Sequence, residues 1–144
     1  MRDCLNQLEK CALKMLTDGD DDVLRIVRTQ LAIFAPKKRA MTGAGFYKEF
    51  EVRREGERIQ GDPSLMIDDV CGNISGLEQG VGFILHIRKG LIEALECFCY
   101  AESWPQSIES FDLYYVKRSG DGNLSRIDQR DLSQLRELPG WPQG

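Results

Sequence analysis

The stretch CFCYAESWP, residues 97–105, holds the densest set of reactive side chains in the sequence: two cysteines one residue apart, then tyrosine, glutamate and tryptophan. Alternate residues of a strand point to the same face, so Cys97 and Cys99 could present both sulfurs together. Zinc needs about four ligands. Here they would come from Cys97, Cys99, Cys71, Cys4, Cys11 and His86, without the usual two-residue spacing between paired cysteines. A cysteine nucleophile instead needs a base at about 3 Å, and His86 is the only histidine. If Lys89 and Gly90 form the two-residue turn of the hairpin HIRKGLIEAL, Arg88 pairs with Leu91 and His86 with Glu93. Four residues of strand, roughly 13 Å, separate Glu93 from Cys97. His86 and Cys97 therefore share neither an ion nor a proton. Pairing the preceding strand through SGLEQG places Cys71 nearly opposite Ile84, which leaves a Cys71/His86 pair open. The expectation is no metal, no cofactor, and cysteines packed as small hydrophobes.

Glu96 falls on the predicted core face near Tyr115, where burial would raise its pKa and suit it to general acid catalysis. TDGDDD, residues 17–22, has the acidity of a calcium loop. Starting from Asp18, however, Val23 and Thr29 stand where glycine and glutamate are required. It reads instead as a helix break at Gly19 and a cap at Asp20 or Asp21. TGAGF, residues 42–46, precedes a strand rather than opening a helix, so it is a turn and not a phosphate cradle.

The elements that must position these groups follow from length and pattern. The 144 residues fit one domain, 1–144, burying roughly 70% of the surface of the unfolded chain. Hydrophobic residues at 42% and charged residues at 29% are ordinary for a globular protein. No apolar run approaches the roughly 20 residues of a bilayer span. Asp3, Lys10 and Lys14 interrupt the N-terminus where a secretory signal would be apolar. A cytoplasmic protein with reduced thiols and no membrane contact is expected. The net charge of −4 argues against nucleic acid. The one tight basic cluster, Lys37, Lys38 and Arg39, reads as a solvated loop.

Leu5, Leu8, Ala12 and Met15, then Leu24, Val27, Leu31 and Phe34, recur at helical spacing, which makes 1–35 two amphipathic helices closed by Pro36. From 45 to 118 the period becomes two, as in GFYKEFEVR, LMIDDVCGNI, VGFILHIR and FDLYYVKR. In the register above, Phe83, Leu85 and Ile87 share a face with Ile92, Ala94, Phe98 and Tyr100. The strand before adds Val70 and Ile74. Pairing FDLYYVKR with residues 91–100 adds Phe111 and Leu113. The prediction is an α+β fold, with two N-terminal helices on one face of an antiparallel meander of about five strands. Residues 119–144 form a C-terminal extension in which Ser125 or Asp128 caps a short helix.

The opposite face carries Ile84, His86 and Arg88, then Leu91, Glu93, Leu95 and Cys97, then Tyr114, Val116 and Arg118. Such a mixture of apolar, aromatic and paired charged residues is that of an interface core with a polar rim. The competing expectation is that Leu132, Leu135 and Trp141 fold back over this face. Trp104, in an interstrand loop, is a further candidate anchor.

The run GLEQGVGFILHIRKGLIEALECFCYAESWP, residues 76–105, resembles a segment of small bacterial proteins, mostly uncharacterised. Its elements are Gly-X-Gly-Phe, a hairpin, Leu-Glu, aromatics and Trp-Pro. Some proteins of this size and build are immunity proteins, which neutralise a sibling cell's toxin by binding it. In the related segments, glycine and threonine occupy the places of Cys97 and Cys99, which weakens any Cys-X-Cys chemistry. Together with the open face, the resemblance implies a non-catalytic cytosolic protein-binding domain, of which an immunity-type inhibitor is one kind, docking a protein partner such as a basic toxin domain. His86, Arg88, Glu93, Leu95, Trp104, Tyr114, Val116 and Arg118 are the expected contacts. The alternatives are a small enzyme using Glu96 or Cys71/His86, and a homodimer joined through the same face.

Overall fold

The computed structural model describes residues 5–52, 57–100 and 102–143. Cys4, weighed above as a ligand, lies outside them, as does Ala101 of the CFCYAESWP stretch. Helix α1 (Gln7–Leu16) opens on a capping box: Asn6 accepts from the Glu9 amide and Glu9 from the Asn6 amide, both at 2.8 Å. Helix α2 (Asp22–Ile33) is capped by Asp21, whose Oδ1 accepts from the amides of Val23 and Leu24. Gly19, at φ +135°, breaks the chain between them.

Strands β1 (Ala35–Met41), β2 (Gly45–Glu51), β3 (Leu65–Ile74), β4 (Val81–Arg88), β5 (Leu91–Cys99), β6 (Phe111–Arg118) and β7 (Leu124–Ile127) form one antiparallel sheet. Its order is β1-β2-β5-β4-β3-β6-β7. The chain is thus α+β with seven strands, where about five in a meander were expected. Only β3-β4-β5 meanders. Residues 37–39, read as a loop, lie in β1, which the turn after Met41 folds back on β2. Proline and lysines suit that edge position, since they discourage further pairing. The tail supplies β7, so Ser125 lies in a strand and Asp131 caps the short helix α3 (Leu132–Arg136). β6 does not pair with β5. That edge belongs to β2, with Phe46 opposite Cys97, and β6 lies against β3 with Tyr115 opposite Val70.

Two β-bulges decide which side chains face the helices. The Lys89–Gly90 turn forms as expected, with φ of +51° and +78°. His86 then pairs with Ala94 while Ile87 pairs with Ile92, so Glu93 is an extra residue. Beyond it every β5 side chain is inverted relative to a regular ladder. Leu95, Cys97 and Cys99 turn toward the helices, and Glu96, Phe98 and Tyr100 turn away. A second bulge between Ile67 and Val70 sends Asp69 inward and Asp68 outward.

The core lies between the helices and one sheet face, where Phe83, Leu85, Ile87 and Leu95 join Leu16, Leu24 and Val27. Its polar residues are matched. Glu9, fully buried, takes two bonds from Arg39 at 2.8 and 2.6 Å. Gln30 donates to the Gly90 carbonyl and accepts from the Ile92 amide, each at 2.8 Å, locking α2 to the β4–β5 turn. Asp69 holds Arg130 through two 2.8 Å bonds, and Arg130 also donates to the carbonyls of Met15 and Asp18. Leu135 and Trp141 enter this same core, and Arg136 pairs with Asp21 at 2.9 Å. The tail therefore packs beside the start of α2 and does not cover the opposite face, contrary to the competing expectation. No helix among the described residues is long and apolar enough to cross a membrane.

Candidate binding face

The uncovered side of the sheet is built from alternate residues of six strands. β2 contributes Tyr47 and Glu49, β3 Met66 and Asp68, β4 Ile84 and His86, β5 Glu96 and Phe98, β6 Tyr114 and Arg118, and β7 Arg126. Met66, Leu124 and Tyr100 are large apolar or aromatic side chains left 40–55% exposed. Phe98 and Tyr100 stack edge to face at 5.4 Å. Gly82 makes room for that pair, because a Cβ there would stand 2.5 Å from the Phe98 ring. The Arg126 guanidinium lies 4.5 Å above the Tyr114 ring.

The bulge at Glu93 assembles a polar cluster that a regular register would have split. His86 Nε2 lies 2.9 Å from Glu96 Oε1. The Tyr47 ring sits 5.6 Å from the imidazole, and its hydroxyl donates to Glu93 at 3.4 Å. Burial first, then Glu93, raises the Tyr47 phenol above its ordinary value. Glu96 was expected in the core beside Tyr115. It lies on the open face, 35% exposed, while the Tyr115 hydroxyl donates to the Met15 carbonyl on the helix side. This overturns the ground on which a buried general acid was considered. The Cys71/His86 pair also fails. Cys71 is opposite Gly82, four strand residues or roughly 13 Å from His86, and burial pushes its thiol up to about 11. Burial likewise raises the Cys97 thiol. Among the described residues no three of His, Cys, Asp or Glu converge on one point as metal ligands would.

Of the eight expected contacts, His86, Arg88, Glu93 and Arg118 line one cleft of about 590 Å³. Tyr114 and Val116 line a second depression of about 420 Å³ with Cys71, Tyr100 and Leu124, although Val116 itself is only 4% exposed. Leu95 does not belong: the bulge turns it to the helices, where it is fully buried. Trp104 does not belong either, for it stacks edge to face on the core residue Phe46 at 5.5 Å. Tyr47, Met66, Tyr100 and Arg126 also lie on this face and were not among the residues expected there. Tyr47 had a legible signal, since Phe46 and Phe50 facing inward place it outward. The chain matches no family model, no curated protein and no solved structure.

Proposed function

We propose that this chain is a cytosolic, non-catalytic protein-binding domain that docks a protein partner through its open sheet face, in the manner of an immunity-type inhibitor. The observation that carries this reading is the course of the tail. Leu135 and Trp141 enter the helix-side core, which leaves a broad face with Met66, Tyr100 and Leu124 exposed. Isolated apolar residues on a surface are ordinary. Here three of them share one face with stacked aromatics and rim charges, the mixture characteristic of interaction sites. The strip of β2 and β5 around Tyr47, with Glu49, Glu93 and Glu96, would favour a basic partner and speed its association. The partner is thus a protein with a cationic surface, of which a toxin domain is one kind.

The test is affinity capture from the source organism's lysate at low and high salt with wild type, Tyr114→Ala and Glu49→Lys, followed by calorimetry on the purified partner. A one-to-one complex weakened at least tenfold by each substitution, and by salt, is the expected result. Equal capture by all three proteins would refute docking through this face. A wild-type chain that sediments alone as a dimer, returning to monomer on Tyr114→Ala, would replace the partner with a second copy.

A further inference from the structure

The cleft of about 590 Å³ lies where the open face meets the tail, and its volume falls within the range of small-molecule sites. Met66 lines it from β3, and Leu138 and Pro139 from the segment after α3. Arg88 and Arg118 set it apart. A guanidinium carries five N–H donors in a rigid fork. Every other described arginine places at least one on an oxygen of the protein, from buried Arg130 on Asp69 to exposed Arg58 on the Lys89 carbonyl. Among the described residues Arg88 has no such partner. The Arg118 guanidinium stands 3.7 Å from Asp68, beyond hydrogen-bond length. The two arginines with unused donors line the same cleft.

We propose that this cleft binds a monocarboxylate with an apolar body. Arg88 and Arg118 hold the carboxylate, and the carbon chain lies against Met66, Leu138 and Pro139. Paired N–H donors match the two oxygens of a carboxylate, and such charge-assisted bonds are roughly twice as strong as neutral ones. The other charged residues of the cleft set the selectivity. Asp68 and Glu93 stand among the arginines and oppose a second negative charge, so doubly charged phosphate is disfavoured. His86, which also lines the cleft, is already engaged with Glu96. The site shares Arg88 and Arg118 with the open face, but its test reads the binding of a small carboxylate alone, so its failure would leave the docking reading intact.

The experiment is an NMR titration of the ¹⁵N-labelled full chain at neutral pH with hexanoate, and in parallel with 1-hexanol and inorganic phosphate. Saturable shifts at the amides of Met66, His86, Arg88, Arg118 and Leu138 are expected with hexanoate, at least tenfold tighter than with either control. The double variant Arg88→Met/Arg118→Met keeps the aliphatic stems and should lose at least tenfold in affinity with an unchanged fold. Leu138→Glu, which places another carboxylate in the cleft, should do the same, while Tyr114→Ala should not. The proposal is overturned by no saturable shift, by hexanol or phosphate binding as tightly as hexanoate, or by full affinity in the double variant.

Discussion

The two sides of the sheet handle the same alternation differently. Along β4, Phe83, Leu85 and Ile87 are at most 3% exposed beneath the helices, while Ile84, His86 and Arg88 look outward and are half-buried or exposed. Polar groups divide the same way. On the covered side each has a close and assigned partner: Glu9 with Arg39, Gln30 with the β4–β5 turn, Asp69 with Arg130. On the open side several contacts are long, such as Arg118 to Asp68 at 3.7 Å and Tyr47 to Glu93 at 3.4 Å. Buried polar groups must be satisfied internally or they cost stability. Exposed ones can leave donors unused because water serves them, and those donors remain available to a ligand. One side of the sheet therefore holds the fold together, and the other is free to bind.

The contrast is broken most directly by Phe83→Ala. The change empties a site 1% exposed in the middle of the core and should cost about 3–5 kcal/mol in chemical denaturation. Asp69→Ala should cost a similar amount, about 3–5 kcal/mol, because it leaves the 6%-exposed guanidinium of Arg130 buried without its carboxylate. A loss below about 1 kcal/mol would mean that Arg130 swings to solvent and that the tail is not anchored there. Gln30→Leu should cost about 1–3 kcal/mol, since the Gly90 carbonyl and Ile92 amide would be left unpaired. On the open side, Tyr114→Ala should cost only about 0.5–1 kcal/mol, mainly the stacking with Arg126. A loss there as large as at Phe83 would erase the distinction between the faces.

The smallest effect sharpens the comparison through pH. Burial raises the Asp68 carboxyl, so its neutral form favours the folded state. That contribution is fully present below the ordinary value of 3.8 and is lost as pH rises through the raised value. Asp68→Asn should therefore gain stability relative to wild type between pH 3 and pH 6, measured as the difference in melting temperature. A constant difference across that window would show that the carboxyl is not perturbed on folding.

Much of this division was legible in the residues. The two amphipathic helices, the Lys89–Gly90 turn and the alternation of Phe83, Leu85 and Ile87 all follow from local pattern. Phe111 and Leu113 sit on the covered side and Tyr114 and Arg118 on the other, although the strand beside them was misassigned. Strand order was not legible, because β6 presents the same alternation to either edge of the β3–β4–β5 meander. Nor were the bulges. LIEALECFCY offers apolar residues on both faces, Leu95, Cys97 and Cys99 on one and Phe98 and Tyr100 on the other. Either register buries a hydrophobic row, and packing against the helices and β2 decides between them. That choice moved Leu95 out of the candidate site and brought Glu96 to His86.

The extra residue at Glu93 also bears on how this chain can vary in descent. Loss of that one codon would leave the turn and the start of β5 in place but restore a regular ladder. The pairs of His86 with Ala94 and Leu85 with Leu95 already skip it, so Leu95, Cys97 and Cys99 would still face the helices and Glu96, Phe98 and Tyr100 the open side. Such a deletion would remove the Glu93 carboxylate and its bond from Tyr47 without exchanging the two surfaces. Length at this point should accordingly be free to vary by this one residue.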